Sequence, residues 1–151
     1  MAKGFDNWRK AVEATDLKVP VLIENTAGGG NAMTRSLDRI QGVWDAIASA
    51  QGAEMVGFCL DTCHAHAGGN ALETVVADLR AITGRIDLVH CNDSRDDFDS
   101  GADRHASLGA GRIDPDLLAA VVREAGAPVV CETPGGVDEH VSDFAWLRER
   151  V

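Results

Sequence analysis

Residues 55–62 read Met-Val-Gly-Phe-Cys-Leu-Asp-Thr, an apolar run that ends with an acidic residue and a threonine and gives the clearest indication of the fold. Near-continuous apolarity over so short a run is typical of a strand that is buried on both faces of a parallel sheet. Three further runs of the same kind occur along the chain. We therefore predict four strands, over residues 19–25, 55–62, 87–93 and 127–133.

Stretches with helical spacing lie between and around these strands. They span residues 5–15, 36–50, 70–83, 115–125 and 142–150. This alternation suits βα units of a parallel sheet with right-handed crossovers. Ser36, Asn70 and Asp114 are suited to begin helices, and Gly84 and Gly126 are suited to end them.

Four βα units are about half of a closed (β/α)₈ barrel, which takes eight strands and about 250 residues. We predict an α/β fold of the TIM-barrel type, in which residues 1–151 form a single partial domain with about four of the eight units. An open four-stranded α/β sheet satisfies the same pattern. The positions of the polar residues along the strands are needed to distinguish a partial barrel from an open sheet.

The composition is that of an ordinary globular protein. The 151 residues are 45% hydrophobic and 25% charged, which suffices for one core and excludes a disordered or collagenous chain. Fourteen basic and 24 acidic residues give a net charge of −10, opposite in sign to the basic surface of most nucleic-acid-binding proteins. Any contact with phosphate would therefore be local or assisted by bound cations.

The four cysteines include no Cys-x-x-Cys pair and indicate no disulfide framework. We interpret Cys91 and Cys131 as small buried apolar residues and Cys63 as structural. The first residues lack the apolar run of a signal peptide, and no stretch approaches the roughly 18 apolar residues of a membrane span. We expect a cytoplasmic protein with no membrane partner.

Each predicted strand carries an acidic residue or a histidine near its carboxyl end, where a buried strand would normally avoid one. These residues are Glu24, Asp61, His90 and Glu132. In parallel α/β folds this edge is where ligands and catalytic groups meet. Period-2 alternation places the four side chains on one face, so they converge on a barrel axis. Because carboxylates packed together repel each other, a divalent metal ion would compensate the cost.

The loops add ligands of the same chemistry. His64 follows Asp61 by three residues, and Asp103 and His105 lie two apart in the long loop after the third strand. Imidazole together with carboxylate suits zinc, manganese or iron. We interpret His66 as a surface or supporting residue and expect His140 to be exposed to solvent. The run from Ala27 to Asn31 lacks the Lys and Ser/Thr of a phosphate-binding loop and favours a tight turn.

Five motifs, in order, resemble the endonuclease IV type of apurinic/apyrimidinic (AP) endonucleases, which are DNA-repair enzymes with a TIM barrel of the xylose isomerase-like type. The resemblance spans the chain from about Val19 to Trp146. The motifs are Ile23–Gly28 (IENTAG), Gly57–Ala65 (GFCLDTCHA), His90–Ser94 (HCNDS), Asp103–Ile113 (DRHASLGAGRI) and Cys131–Thr133 (CET).

The resemblance implies a zinc-dependent hydrolase that cleaves the phosphodiester 5′ to an abasic site in double-stranded DNA, with up to three zinc ions. Glu24 would bridge two of the ions, and Glu24 and Glu132 would be the catalytic carboxylates. Asp61, His90 and Glu132 match the remaining ligands of the second zinc. His64, Asp103 and His105 match the ligands of the third.

The chain departs from this family at its start, because the family's barrel begins with four further βα units that hold two histidine ligands of the first zinc. Glu24 alone would hold that ion here, so we expect two well-liganded sites. We interpret the chain as the C-terminal half of such a barrel. Since a half barrel leaves two sheet edges and one sheet face uncovered, we expect the chain to self-associate or to need the missing N-terminal half.

Two alternatives remain open on the sequence. A sugar isomerase or epimerase of the xylose isomerase type shares the barrel and its strand-end ligands, but it needs no third site such as His64 with Asp103 and His105. A metal-binding remnant without catalytic activity is the other alternative.

Overall fold

The computed structural model describes residues 1–151. The strands are β1 Val21–Glu24, β2 Val56–Asp61, β3 Leu88–His90, β4 Asp93–Ser94, β5 His105–Ala106 and β6 Val129–Val130. A central parallel sheet is formed by β1, β2, β3 and β6, in that order. The helices are α1 Ala2–Ala14, α2 Leu37–Ala48, α3 Thr62–Ala67, α4 Val75–Thr83, α5 Pro115–Ala125 and α6 Val137–Arg150, and Ala53–Met55 form one 3₁₀ turn. The predicted alternation of parallel strands and helices is confirmed.

The two faces of the sheet differ in chemistry, as the alternation predicts. Phe58, Leu60 and Val89 are fully buried in the core that the sheet shares with the helices. On the other face, Glu24 is paired with Cys59 and Asp61 with His90 across neighbouring strands. The register therefore places the polar strand ends side by side, because an apolar core on one face leaves them no other direction.

Four of the predicted helix ends are confirmed, and the first is Ser36, which directly precedes α2. The Asp114 carboxylate accepts hydrogen bonds from the backbone N–H of Asp116 at 2.8 Å and of Leu117 at 3.3 Å, with Pro115 at the first helical position. Gly84 (φ 73°) and Gly126 (φ 55°) end α4 and α5 in the left-handed conformation that glycine adopts at low cost.

Other predicted boundaries were wrong. The helix predicted over residues 70–83 begins at Val75, because the buried Asn70 side chain donates to the Arg35 carbonyl at 2.7 Å instead of capping a helix. The last helix begins at Val137 rather than at residue 142, with the Glu139 carboxylate accepting the Gly136 N–H at 2.8 Å. All four sheet strands are shorter than predicted, and α3 and the antiparallel pair β4 and β5 were not predicted.

None of the helices combines the length and the apolar character that crossing a membrane requires.

Replacing Asp114 by Ala should lower the free energy of unfolding by about 1 kcal/mol, since two backbone N–H groups at the start of α5 lose their acceptor. For a domain of this size, about 1 kcal/mol corresponds to a drop of about 2–4 °C in melting temperature. Glu124→Ala is the matched control, because it removes an exposed acidic residue of the same helix. Equal shifts in calorimetry of the two variants would contradict the assigned cap.

Candidate metal centre

The four strand-end residues predicted as ligands lie together at the carboxyl edge of the sheet. We call Glu24, Asp61, His90 and Glu132 the strand-end cluster; one ligand atom from each lies within 4.8 Å of the others. His90 Nδ1 is 3.1 Å from Glu132 Oε2 and 3.5 Å from Glu24 Oε2. Glu132 lies two residues beyond the end of β6 rather than within the strand.

The three predicted loop ligands form a second group beside the first. We call His64, Asp103 and His105 the loop cluster; their ligand atoms also lie within 4.8 Å of one another. The Asp103 Oδ1 atom is 3.0 Å from His64 Nε2 and 3.3 Å from His105 Nε2. The structure thus brings all seven predicted residues into two adjoining clusters.

The two clusters are joined through Asp61, which is fully buried. Its carboxylate accepts the backbone N–H of His64 at 2.7 Å and thereby caps α3, the short helix that carries His64. Its other oxygen lies 3.9 Å from His105 Nε2. A single carboxylate at the end of β2 therefore places one ligand of the loop cluster and faces another.

Two asparagines that sequence reasoning missed hold these backbones in place. The Asn25 amide bonds both the N–H and the carbonyl of Asp61, at 2.8 and 2.9 Å. The Asn92 amide donates to Asp61 Oδ2 at 2.6 Å and accepts the Glu132 N–H at 2.7 Å. The available signal was that each asparagine follows a strand-end ligand by one or two residues within a buried run.

Backbone carbonyls orient two of the histidines. His64 Nδ1 lies 3.0 Å from the Asn25 carbonyl, and His105 Nδ1 lies 3.1 Å from the Glu132 carbonyl. Because a carbonyl only accepts, both Nδ1 atoms donate and both Nε2 atoms turn toward the loop cluster, 3.5 Å apart. Fixing the tautomer in this way is how proteins present a histidine nitrogen to a metal ion.

Burial and the neighbouring charged groups shift the pKa values of three residues of the site. Burial raises the pKa of Asp61. Burial alone would raise the pKa of Glu24 as well, but hydrogen bonding from His64 and the neighbouring His90 hold that pKa below its usual value. Although burial opposes its charge, His64 has its pKa raised to about 10 by Glu24, Asp61 and Asp103. A metal ion bound at His64 Nε2 would therefore displace a proton at neutral pH.

The donor set fits divalent cations. His90 Nδ1 is buried without a hydrogen-bond partner, although carboxylate oxygens of Glu24 and Glu132 surround it. A buried nitrogen left unpaired among carboxylates is costly unless a cation binds there. Carboxylate and imidazole are ligands for zinc, and equally for manganese or iron.

The cysteines divide into two pairs. The Cys59 sulfur lies near Glu24 and His90, and the Cys63 sulfur lies near Asp61 and His105. Burial raises the pKa of both thiols to about 12, which favours the neutral thiol. Cys91 is fully buried in the core and Cys131 packs against it half-buried, in agreement with their interpretation as small apolar residues.

Three residues outside the clusters also have defined partners. His66 Nε2 lies 3.2 Å from the Asp96 carbonyl, which supports its interpretation as a supporting residue. The expectation of an exposed His140 was wrong, because this half-buried side chain bonds the Thr133 carbonyl at 2.9 Å. Arg104 forms an ion pair with Asp96.

The loop that carries Asp103 is fastened to the loop after β1. A Cβ atom added to Gly28 would lie 2.0 Å from the Gly101 carbonyl oxygen, so only glycine permits this approach. Arg35 adds an ion pair to Asp99 at 2.8 Å. The Gly101 N–H also donates to the Ala67 carbonyl at the end of α3. The turn predicted for residues 27–31 thus packs against the loop cluster's own chain segment.

Residues 1–150 match the family model described as xylose isomerase-like TIM barrel. The chain belongs to this family. The match confirms the predicted barrel type: the four parallel strands with their alternating helices are half of the family's eight.

Within the xylose isomerase-like family, the chain is similar to proteins with endonuclease IV names. It is 57% identical over 149 residues to a probable endonuclease 4 of Mycobacterium tuberculosis and 55% identical over 148 residues to one of Mycobacterium leprae. These matches cover 99% and 98% of this chain but only 57% and 56% of the relatives, so the chain spans little more than half their length.

Solved structures agree with the fold. Endonuclease IV from Thermus thermophilus superposes with a TM-score of 0.68 at 33% identity, over 85% of this chain and 49% of that one. A xylose isomerase domain protein from Alicyclobacillus acidocaldarius superposes with a TM-score of 0.62 at 20% identity, over 98% and 57%. The first match supports the resemblance to endonuclease IV found in the sequence; the second shows the fold alone.

Replacing Glu24 or Glu132 by Gln should reduce the metal content of the purified chain, because each change removes a charged ligand from the strand-end cluster. Metal content after dialysis, measured by mass spectrometry, checks the result. Cys91→Ser is the control and should leave the content unchanged. Undiminished metal in both Gln variants would contradict the ligand assignment.

Gly28→Ala should weaken metal binding at the loop cluster, because the added methyl group forces the Gly101 segment, and with it Asp103, away from His64. Calorimetric metal titration should then lose its loop-cluster component while the strand-end component remains. Gly30→Ala is the matched control, since a Cβ atom added to Gly30 would meet no other atom within 4 Å. Identical titrations of the two variants would show that the close approach does not position Asp103.

Proposed function

We propose that the chain is part of a zinc-dependent AP endonuclease, which hydrolyses the phosphodiester 5′ to an abasic site in double-stranded DNA. The observation that supports this best is the loop cluster beside the strand-end cluster. A sugar isomerase needs only the strand-end ligands, whereas hydrolysis of a phosphodiester is typical of neighbouring metal sites. The similarity to proteins named probable endonuclease 4 supports the same conclusion.

The residues of the two clusters would bind metal ions at two separate sites. Asp61, His90 and Glu132 would hold one ion, and His64, Asp103 and His105 another. The Glu24 carboxylate would complete the strand-end site, since its Oε2 lies 3.5 Å from His90 Nδ1, while its Oε1 lies 2.9 Å from His64 Nδ1, the ring nitrogen that faces away from the loop cluster. When bound, zinc would act as a Lewis acid on phosphate and lower the pKa of water.

Glu132 is the more exposed carboxylate of the strand-end cluster and lies at its rim. Its side chain is 47% exposed, against 31% for Glu24 and 0% for Asp61. We propose that Glu132 faces the DNA substrate, while Asp61 organises the site from beneath. This difference in exposure supports a catalytic role for Glu132 in addition to metal binding.

The charge balance gives the metal ions a second role in binding DNA. The chain has a net charge of −10, and residues 95–104 contain four aspartates but only two arginines. Positive charge for a phosphate must therefore come chiefly from bound ions, which dominate the local field of such sites. The four free cysteines support a reducing compartment, and we propose a cytoplasmic location.

The test is incision of a labelled duplex that carries one abasic site, by the purified chain loaded with zinc, manganese or iron(II). We expect cleavage 5′ to the site, with the highest rate for zinc. The Glu132→Gln variant should lose cleavage, because it removes both a ligand and a rim carboxylate. Metal-loaded chain that leaves the duplex intact would contradict the activity for this chain and favour the metal-binding remnant.

A further inference from the structure

The last helix packs the half-buried side chains of Trp146 and Leu147 against the core, but the one residue that it buries fully is an acidic one. Asp143 is 2% exposed and is the one buried residue of α6. Its neighbours Val141 and Phe144 are 59% and 47% exposed. Burying a carboxylate is costly unless hydrogen bonds compensate it, so the partners of Asp143 are the next question.

The Asp143 carboxylate joins two chain segments that are remote in sequence. Oδ1 accepts the backbone N–H of Leu108 at 2.9 Å, and Oδ2 accepts the hydroxyl of Thr133. Leu108 follows His105 by three residues, and Thr133 directly follows Glu132. One buried group therefore ties the segment that carries a loop-cluster ligand to the segment that carries a strand-end ligand.

The same two segments meet again at the site itself, where His105 Nδ1 donates to the Glu132 carbonyl at 3.1 Å. This bond turns His105 Nε2 toward His64 and Asp103. The length of this bond depends on the distance between the two segments, and Asp143 bonds both of them.

A second buried carboxylate in the same region has a different role. Asp93 accepts the backbone N–H groups of Gly109, Gly111 and Ile113 at 2.9 to 3.1 Å. All three belong to one loop, so Asp93 shapes that loop. Of these two carboxylates, only Asp143 also bonds the segment that carries Glu132.

We propose that Asp143 is a positioning residue, which holds the His105 segment against the Glu132 segment and so orients His105 for metal binding in the loop cluster. This inference rests on the proposed metal-dependent function. Loss of the bridge lets the His105–Glu132 bond lengthen and weakens the loop-cluster metal selectively. The strand-end metal keeps His90 and Asp61, which Asp143 does not contact, and also Glu132, whose backbone N–H the Asn92 amide holds at 2.7 Å.

The test compares Asp143→Leu with Asp143→Asn. Leu fills the space without hydrogen bonds. Asn keeps both bonds, since its oxygen accepts the Leu108 N–H and its NH₂ group donates to the Thr133 hydroxyl. We expect Asp143→Leu to weaken zinc binding at the loop cluster about 10- to 100-fold in chelator competition, the usual effect of losing a partner that supports a ligand. Asp143→Asn should restore it, and the strand-end affinity should stay unchanged in both.

A direct readout is the ¹⁵N NMR spectrum of His105 in the zinc-loaded chain. In the wild-type chain and in Asp143→Asn, Nδ1 should be protonated and hydrogen-bonded, with Nε2 bound to zinc. In Asp143→Leu this signal should be lost or broadened. A role of Asp143 in stability alone would change the melting temperature but not the signal of one histidine.

Three outcomes would overturn the inference. The first is unchanged loop-cluster affinity in folded Asp143→Leu, and the second is equal weakening of both sites. The third is failure of Asp143→Asn to restore binding, which would indicate that the charge matters and not the bridge. If Asp143→Leu does not fold, Thr133→Val removes one arm of the bridge and should weaken the same site. A wild-type chain that binds no zinc would instead defeat the proposed function.

Discussion

The burial of the Asp61 carboxylate at the end of β2 is the constraint on which the rest of the site depends. A buried charge requires several hydrogen bonds, and here they come from the Asn92 amide and the His64 N–H. Each bond also places something else: α3 with His64 in one direction, and the Glu132 backbone, through Asn92, in the other. The cost of burying Asp61 is thus the reason that the surrounding ligands have fixed positions.

Around this centre, the connection between β3 and α5, residues 91–114, is held by residues that are distant from it in sequence. Gly28 admits the Gly101 carbonyl, Arg35 pairs with Asp99, and Asp143 bonds Leu108 from the last helix. Polar bonds in a low-dielectric interior are strong when all partners are present. Asp103 can therefore lie on irregular backbone and still meet His64 of α3 and His105 of β5 at one point.

The sequence predicted the sheet and the ligand positions because both follow from local rules. Alternation along β2 puts Leu60 in the core and Asp61 opposite, and the Asp114 and Gly126 helix ends follow from side-chain chemistry. It did not predict that Asn70 ties a loop instead of capping a helix, or that Asn25 and Asn92 bracket Asp61. Those bonds link residues 31 to 40 positions apart. Separations of that size become visible only when the fold is known.

The fold by itself does not choose the chemistry of this chain, because one barrel supports isomerases and nucleases alike. The strand-end cluster is the part that the barrel provides, since four parallel strands bring their carboxyl ends to one edge. The loop cluster depends on two features beyond the barrel: α3, which starts directly after Asp61, and the β4–β5 pair, whose second strand begins with His105. These two features convert one group of ligands into two adjoining groups, and the proposed phosphodiester hydrolysis is based on that arrangement.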